Sequence, residues 1–336
     1  MLDLASLKEL LAQPRKIVIT THHKPDGDAM GSSLGLYNYL IQLGHHTKVI
    51  TPTDYPDFLA WMPGNGEVII YTENIEASAK LVAEAELIFC LDFNTLSRIN
   101  ELGELVRASG ALKVMIDHHL EPEDFDDFRH WSINACASAQ LVYDFIVNKL
   151  DNIALINKDV AACLYTGIMT DSASFCLPNT TSDVHRITAE LLDAGAVNWR
   201  IYDLVYNNSP ENRLRFLGLC LSERLEVLYE YNTAIIHVTK EDLEKYNIQT
   251  GDTEGIVNYA LSIAGIRLAA FIIERKDKVK LSLRSKGDIP ANDICRRYFD
   301  GGGHYNAAGG HSDDSLENVI KQFKLILPEY KKLLIK

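Results

Sequence analysis

Strand-like apolar runs alternate with helical patterns in the first part of the chain, and this alternation restricts the fold more than any other feature of the sequence. The runs that we interpret as strands are 16–21, 47–51, 67–71, 86–92 and 112–116. Helical patterns follow several of them, at 29–43, 75–84 and 96–109. Strands that alternate with helices form βαβ units, and such units build parallel sheets. We therefore predict an α/β fold with a parallel sheet in the N-terminal part.

The rest of the 336-residue chain has a different pattern, which indicates a second domain. Helical patterns continue at 137–149, 157–169 and 181–195. After a mixed polar segment come strand-like stretches at 224–230, 233–238, 266–275 and 278–285, a helix at 290–299, a glycine-rich segment at 301–310 and a helix near 315–333. A chain of this length is too long for one small core. We predict a first domain at 1–196, a helical linker at 197–222 and a smaller α/β domain with a mixed sheet at 223–336.

The charge and the cysteine pattern exclude some classes of function. The net charge of −13 argues against a non-specific nucleic-acid binder, which needs a broad basic surface. A nucleotide enzyme stays open, because carboxylates that hold divalent cations raise the formal negative charge. The six cysteines form no C-x-x-C pair, which is typical of reduced core cysteines in a cytosolic protein. We see no signal-peptide pattern and no apolar run of roughly 20 residues, and we expect a cytoplasmic protein without membrane association.

The polar loop after the first predicted strand carries the first candidate metal ligands. His22, Asp26 and Asp28 lie close together in the sequence, and Gly27 permits the tight backbone that would bring their side chains to one point. The segment 31–33, Gly-Ser-Ser, opens the following helix, where backbone N–H groups can bind a phosphate. The alternative is an Asx-rich turn that only caps the helix.

Three further clusters of acidic or histidine residues follow apolar segments. Asp92 ends one predicted strand, Asp117-His118-His119 ends another, and Asp171 follows an apolar helix whose C-terminus would favour a cation. Each cluster alone could be a helix cap, a solvated strand end or a core histidine. The carboxyl ends of parallel strands meet at one edge of a sheet, where ligands bind in open α/β folds. We therefore expect the clusters to form one site.

The ligand types indicate a class of metal. Carboxylates and imidazoles without thiolates suit manganese, magnesium or iron, and cobalt or zinc could substitute. The supply of ligands is too large for one ion. Two ions about 3.5–4 Å apart, bridged by a carboxylate, are the usual arrangement for cleaving phosphate esters.

The glycine-rich segment and the strand before it offer a second, phosphate-directed set of residues. The glycine backbone at Gly302 and Gly303 can approach an anion closely, and His304 follows at once. On the preceding strand, alternation points Arg284 away from the apolar side, and Ser285 lies at the strand end. The alternative is a flexible glycine loop between two helices.

Together these motifs resemble those of the DHH phosphoesterase superfamily. The resemblance rests on His22-x-x-x-Asp26-x-Asp28, Asp92, Asp117-His118-His119 and Asp171. The segments 301–304 (GGGH) and 307–310 (AAGG) are similar to the DHH-associated C-terminal domain. The resemblance extends over nearly the whole chain, and it implies an active site in the cleft between the two domains.

The resemblance also implies a role for each residue. Two divalent ions, manganese in the first place, would share Asp92. The ligands of one ion would be His22, Asp26 and Asp92, and those of the other Asp28, Asp92, His118 and Asp171. Asp117 would orient a ligand histidine, and His119 would face the scissile phosphate. Arg284, Ser285, Gly302, Gly303 and His304 would bind substrate.

The activity that the resemblance implies is hydrolysis of short oligoribonucleotides from one end and of adenosine 3′,5′-bisphosphate to AMP and phosphate. Hydrolysis of linear dinucleotides from cyclic di-AMP breakdown, or of short polyphosphate, stays open. An alternative of another class is a non-catalytic module that binds nucleotides or RNA ends. As partners we expect short RNA and small nucleotides but no long duplex, and we leave a homodimer open.

Overall fold

The computed structural model describes residues 2–336, and the chain divides into two compact units. The first unit extends to Asn208, and the second runs from Ser209 to Lys336. The division falls inside 197–222, the segment that we expect to link two domains. Helices at Asn198–Tyr206 and Glu211–Ser222 precede and follow it in the sequence.

The first unit contains a six-stranded sheet in which all neighbouring strands are parallel. Its strands are β1 (Lys16–Thr21), β2 (His46–Thr51), β3 (Val68–Ile70), β4 (Leu87–Leu91), β5 (Leu112–Asp117) and β6 (Phe128–Trp131). Their order across the sheet is β3-β2-β1-β4-β5-β6. The apolar runs of β1 and β4 are almost fully buried, as expected for central strands with both faces covered. The prediction of a parallel sheet is confirmed.

Strand β6 is absent from the sequence prediction because its composition gives no apolar run. It lies at the edge of the sheet and, among residues 2–336, pairs with β5 alone. Its residues, Phe-Arg-His-Trp, are half-buried or exposed. An edge strand does not need the continuous apolar sequence of a central strand, so only the tertiary structure reveals it.

Eight helices belong to the described part of the first unit. They are α1 (Leu4–Leu11), α2 (Gly27–Gln42), α3 (Ile75–Glu84), α4 (Leu102–Ala108), α5 (Ser138–Asp144), α6 (Lys158–Asp171), α7 (Ser182–Asp193) and α8 (Asn198–Tyr206). The helix predicted at 96–109 is a 3₁₀ turn, Leu96–Ile99, followed by α4, because Asn100 has a left-handed backbone with φ of 52°. The helix predicted at 137–149 changes from α to π geometry at Phe145.

Helices α2 and α6 lie in very close contact, and glycines permit this approach. Gly27, Gly31 and Gly35 share one face of α2. A Cβ atom on Gly31 would lie 2.6 Å from the carbonyl oxygen of Cys163 and 2.7 Å from the nitrogen of Gly167, so only hydrogen fits there. The prediction that 31–33 offers backbone N–H groups to a phosphate is wrong, because α2 begins at Gly27 and these residues lie inside it, buried.

The second unit contains a six-stranded mixed sheet. Its strands are β7 (Leu225–Leu228), β8 (Thr233–Val238), β9 (Leu268–Glu274), β10 (Val279–Ser285), β11 (Gly302–His304) and β12 (Ala307–Ser312). Their order is β11-β12-β10-β9-β8-β7, with β8 and β9 parallel and the other pairs antiparallel. The helices are α9 (Glu211–Ser222), α10 (Lys240–Lys245), α11 (Ile256–Leu261), α12 (Ala291–Tyr298) and α13 (Leu316–Leu334). The predicted mixed sheet is confirmed.

The glycine-rich segment forms strands β11 and β12 rather than a flexible loop between two helices. A Cβ atom on Gly301 would lie 2.1 Å from the carbonyl oxygen of Gly309, and one on Gly310 would lie 2.6 Å from that of Phe299. At these positions glycine is therefore needed for close backbone packing. Within residues 2–336, no helix combines the length and the apolar character that crossing a membrane requires.

Candidate metal centre

The carboxyl ends of β1, β4 and β5 lie side by side at one edge of the first sheet. His22 follows β1, Asp92 follows β4, and Asp117 is the last residue of β5. From β1 the strand order continues to β2 on one side and to β4 on the other. Such a topological switch point is where open α/β sheets bind ligands.

Asp26 uses its two carboxylate oxygens differently. Oδ1 accepts hydrogen bonds from the backbone N–H groups of Asp28 and Ala29, both at 3.0 Å, and so caps α2. Oδ2 lies 3.9 Å from Nε2 of His22. Capping and metal binding, which are alternatives in the sequence, are therefore compatible in the structure.

Two histidines present their Nε2 atoms to the centre because their Nδ1 atoms face carbonyl groups. Nδ1 of His22 lies 2.9 Å from the carbonyl oxygen of His23, and Nδ1 of His118 lies 3.2 Å from that of Ala135. A hydrogen bond of this kind selects the tautomer in which Nε2 carries the lone pair that a metal needs. The neighbouring His23 is exposed, and its ring contacts the carbonyl oxygen of Arg98 instead.

Asp92 lies between the two histidines and is buried. Its Oδ2 is 3.4 Å from Nε2 of His22, and its Oδ1 is 3.5 Å from Nε2 of His118. The residue has a left-handed backbone with φ of 63°, which aspartate tolerates better than most residues. Its N–H donates to the carbonyl of Ile116 at 3.1 Å, and the hydroxyl of Ser138 donates to its Oδ1 at 2.9 Å. These contacts orient the carboxylate toward both imidazoles.

Asp28 is held by the first residues of α5. Its oxygens accept the backbone N–H groups of Ser138 at 2.6 Å and of Ala139 at 2.8 Å. One of them is also 3.9 Å from Nε2 of His118. Asp171, the last residue of α6, completes this side of the centre, with Oδ2 at 3.6 Å from the same nitrogen.

Asp117 binds His119, which is not one of the six predicted metal ligands. Its Oδ1 lies 2.7 Å from Nδ1 of His119, and its Oδ2 accepts the backbone N–H of His119 at 3.1 Å. The indole N–H of Trp131 donates to the carbonyl of His119 at 2.7 Å. The imidazole of His119 is thereby fixed with Nδ1 3.7 Å from Oδ1 of Asp92.

Burial and the crowding of like charges perturb the carboxylates strongly. Burial, followed by the negative charges of Asp92 and Asp171, raises the pKa of Asp28 well above its ordinary value. Burial also opposes ionisation of Asp92, but the interactions with the imidazoles of His118 and His22, when these are protonated, outweigh it and hold the pKa of Asp92 well below its ordinary value. A site that gathers buried carboxylates in this way gains stability when a cation neutralises them.

The donor set fits hard divalent cations. Three groups of donors, each with ligand atoms within 4.8 Å of one another, share Asp92. They are His22, Asp26 and Asp92; Asp28, Asp92 and His118; and Asp92, Asp117 and His119. The nearby Cys136 offers no thiolate, because burial raises the pKa of its thiol. The structure thus brings the six predicted ligands to one edge of the sheet, while their binding of metal stays a prediction.

Arg98 is a candidate site residue that the sequence prediction missed. It is half-buried in the 3₁₀ turn after Asp92, and its carbonyl accepts the N–H of His23 at 2.8 Å. Burial lowers the pKa of His119, and the positive charge of Arg98 lowers it further against the effect of Asp117. In the sequence, Arg98 is a lone arginine six residues after a strand-end aspartate. This pattern is too common to indicate a functional residue.

The residues predicted to bind substrate all lie in the second unit. Arg284 is half-buried on β10, and His304 ends β11. Gly302 and Gly303 belong to β11, where Gly303 has φ of 132°. The hydroxyl of Ser285 is buried and donates to the carbonyl of Ile289 at 2.6 Å. This hydrogen bond explains the presence of a serine there without a contact to substrate. Substrate binding by these residues stays a prediction.

Comparisons with known families match both parts of the chain. Residues 16–168 match the DHH family, N-terminal domain, and residues 230–329 match the DHHA1 domain.

Curated relatives align over most of their length. The bifunctional oligoribonuclease and PAP phosphatase NrnA of Thermus thermophilus is 32% identical over 311 residues, which cover 91% of this chain and 88% of that protein. The Bacillus subtilis protein of the same name is 25% identical, with 94% and 95% covered. A solved structure from Bacteroides fragilis, described as an exopolyphosphatase-related protein, has a TM-score of 0.94 and 40% identity, with 99% and 97% covered.

Proposed function

Because this chain belongs to the DHH family, we propose that it is a metal-dependent phosphoesterase that hydrolyses short oligoribonucleotides and adenosine 3′,5′-bisphosphate. The observation that carries the proposal is the buried Asp92 carboxylate between the Nε2 atoms of His22 and His118. A purely structural role does not account for two imidazoles and several carboxylates gathered around it. The activities named for the Thermus and Bacillus relatives supply the substrate class.

The residues would hold two divalent ions, for which we propose manganese. His22, Asp26 and Asp92 would bind one ion, and Asp28, Asp92, His118 and Asp171 the other. When bound there, such a pair of ions would supply an activated water and neutralise charge on the phosphate. Further hydrogen bonds would keep these ligands in place: the Ser138 hydroxyl donates to Asp92, and the Nδ1–H groups of His22 and His118 donate to backbone carbonyls.

His119 and Arg98 would act on the phosphate itself. The Asp117 carboxylate accepts a hydrogen bond from Nδ1 of His119 and so fixes the orientation of the ring. We propose that the protonated ring stabilises charge on the phosphate or donates a proton to it. The positive charge of Arg98 would stabilise the negative charge that develops on the phosphate oxygens.

The second unit would bind the remainder of the nucleotide. We propose that Arg284, His304 and the backbone of Gly302 and Gly303 contact a substrate phosphate, with arginine able to do so through two nitrogens. Ser285 would support them through its loop contacts rather than through the ligand. The domain limits of 196 and 223 belong to the same proposal.

Short polyphosphate is a second candidate substrate, favoured by the description of the Bacteroides fragilis structure as exopolyphosphatase-related. Like an oligonucleotide backbone, polyphosphate offers successive anionic groups and a terminal phosphate. It lacks bases and sugars, so a comparison of the two substrates separates phosphate recognition from nucleotide recognition.

A hydrolysis assay tests the proposal. The purified chain is loaded with manganese, verified by elemental analysis, and incubated with adenosine 3′,5′-bisphosphate, RNA of two to five nucleotides, a linear adenosine dinucleotide and short polyphosphate. We expect turnover on the first two and loss of turnover in Asp92→Asn. Bound metal without turnover on any substrate would refute the phosphoesterase and favour a binding module. Retained turnover in Asp92→Asn would refute the shared ligand.

A further inference from the structure

One face of the second sheet changes its character between β9 and β10. On β8 and β9 this face is apolar and buried against a cluster that includes residues of α9 and α11. The residues concerned are Ala234, Ile236, Val238, Ala269, Phe271 and Ile273. On β10 the same face carries Lys280, which is exposed, and Ser282 and Arg284, which are half-buried. From β10 outward this face of the sheet reaches solvent.

The strand register arranges the open face in three rows. Residues that pair directly across antiparallel strands point to the same side of a sheet. The rows are Arg284, Ala307 and His304; Ser282, Gly309 and Gly302; and Lys280 and His311. The two outer rows therefore each carry a cationic side chain and an imidazole, and the middle row carries only small residues.

The two glycines of the middle row are not required by the fold. A Cβ atom on Gly309 would meet only the carbonyl oxygen of Leu281, at 3.6 Å, and nothing in residues 2–336 lies within 4 Å of a Cβ atom on Gly302. Neither residue has the positive φ that favours glycine. Because these glycines have no side chains, the backbone between the outer rows is open. Such a surface allows a ligand to approach the backbone closely.

The spacing of the outer rows indicates what kind of ligand can contact both. Arg284 and Lys280 are four residues apart on β10, which corresponds to about 13 Å along an extended strand. This distance exceeds the span of one phosphate group. A chain of successive phosphates can reach from one row to the other, passing over the small residues between them.

We propose that Lys280 and His311 form a second phosphate subsite, which binds the backbone of a single-stranded oligoribonucleotide beyond the phosphate held by Arg284 and His304. The inference rests on the proposed function and adds to it a dependence on chain length. Lysine supplies a positive charge that recognises a phosphate without reading the base. The imidazole of His311 supplies an N–H donor in either tautomer.

The subsite predicts which substrates benefit from it. A substrate with one or two phosphates engages the Arg284 row and does not extend to Lys280. An oligonucleotide of several nucleotides reaches both rows and gains affinity through charge. The positive groups of the two outer rows would suffice to bind short RNA. Recognition of short RNA is therefore compatible with the net charge of −13, because a broad basic surface is not needed.

Equilibrium binding of RNA to the full chain tests the subsite without catalysis. Fluorescence anisotropy with labelled two- and five-nucleotide RNA in EDTA compares the natural protein with Lys280→Ala, His311→Ala and Lys321→Ala. Lys321 is exposed on α13, which packs against the opposite face of the sheet, so its variant controls for the loss of one charge. Lys280→Ala should weaken five-nucleotide binding about tenfold and reduce the slope of log K against log salt by about one.

Length dependence is the decisive comparison. The loss of RNA affinity in Lys280→Ala should be larger for five nucleotides than for two. His311→Ala should lose affinity in the same length-dependent way, and Lys321→Ala should bind both RNAs like the natural protein. Gly309→Leu, which places a side chain on the open middle row, should weaken five-nucleotide binding as well. Equal losses for both lengths, or Lys280→Ala equal to Lys321→Ala, would overturn the subsite.

The same proteins separate this inference from the proposed function. Turnover of the two RNAs is measured in parallel with manganese present. Length-dependent binding without turnover would support the subsite and refute the phosphoesterase. Turnover with no difference between Lys280→Ala and Lys321→Ala on five-nucleotide RNA would support the phosphoesterase and refute the subsite.

Discussion

Asp92 shows how much of the candidate centre depends on the surroundings of a single side chain. Its carboxylate is buried between two imidazoles, and its orientation is set by the backbone of β5 and by a hydroxyl from α5. A shared ligand must present its two oxygens in two directions at once. If Asp92 is such a ligand, contacts that restrict its rotation would contribute to metal affinity although they do not touch a metal.

Replacement of Ser138 tests this dependence. Ser138→Ala removes the hydroxyl that donates to Oδ1 of Asp92 but keeps the backbone N–H that Asp28 accepts. We expect manganese affinity to fall about 10- to 100-fold, and excess manganese to restore kcat. Calorimetric titration and activity at increasing manganese concentrations measure the two effects.

The matched control for Ser138→Ala is Ser33→Ala. Ser33 is also buried, but its hydroxyl has no hydrogen-bond partner among residues 2–336. This variant should bind manganese like the natural protein. Equal manganese affinities in both variants would show that the Ser138 hydroxyl does not orient the ligand.

Arg98 provides a second test of what a single residue contributes to the proposed reaction. Arg98→Ala should lower kcat about 100-fold, because a cation that faces developing phosphate charge acts mainly in the transition state. Arg98→Lys should recover part of the rate, since lysine keeps the charge but loses the fork of nitrogens. Steady-state kinetics with adenosine 3′,5′-bisphosphate measure both. A change in KM alone, with kcat preserved, would assign Arg98 to substrate binding instead.

At the scale of elements, the contact between α2 and α6 places Asp28 and Asp171 near the same histidine. Gly31→Ala should disrupt it, because the new methyl group would meet backbone atoms of α6 at 2.6 and 2.7 Å. Despite the better helix propensity of alanine, we expect the free energy of unfolding to fall by about 2 kcal/mol. Urea denaturation measures the change.

Gly218→Ala is the control for the effect of alanine in a helix. Gly218 lies in α9, and nothing in the described residues lies within 4 Å of a Cβ atom there. This variant should gain about 0.5–1 kcal/mol of stability. A comparable gain in Gly31→Ala would show that the two helices can separate without cost.

The start of α10 gives a prediction for pH. Asp242 accepts two hydrogen bonds from Arg224, at 2.8 and 2.9 Å, and one from the N–H of Thr239 at 3.1 Å. Hydrogen bonding to Arg224 is the main reason that the pKa of Asp242 is lowered from 3.8. A depressed pKa stabilises the fold above the unfolded-state value, and this contribution is lost as the pH falls through the folded-state value.

Asp242→Asn measures that contribution. At pH 7 the variant should be about 2 kcal/mol less stable than the natural protein, since it loses the charge that Arg224 binds. Below pH 3.8 the difference should shrink, because the carboxyl group of the unfolded chain takes up a proton there, and it should vanish below the lowered pKa of the folded protein. Urea denaturation at both pH values gives the comparison, and a difference independent of pH would mean that the charge is not what stabilises α10.

The elements also explain which parts of the site could be predicted from the sequence. Asp92 and His118 follow apolar strands, so a local pattern identifies them as candidates. Ser138 is 46 residues from Asp92 in the chain, and its role depends on a tertiary contact that no local pattern encodes. Strand β11 is not predicted for a related reason, since glycine has a low strand propensity, and the close packing of Gly303 against Ala307 and Ala308 appears only in the tertiary structure.

At the scale of the whole molecule, the two units carry different candidate tasks. The six predicted metal ligands belong to the first unit, and the predicted substrate residues belong to the second. Each unit has a core of its own around its own sheet. Metal binding should therefore stabilise the first unit directly, because a ligand stabilises the structure that holds its binding site.

Hydrogen exchange on the full chain tests this assignment. With manganese at about 100 times its dissociation constant, the metal-bound state gains about 2.7 kcal/mol, so exchange through opening of the site should slow about 100-fold. The effect should include the N–H groups of Ser138 and Ala139, whose acceptor is Asp28. Amides in β8 and β9 should exchange as before, and Asp92→Asn should show little protection anywhere. Equal protection of β8 and β9 would contradict the assignment, because it would show that manganese stabilises both units.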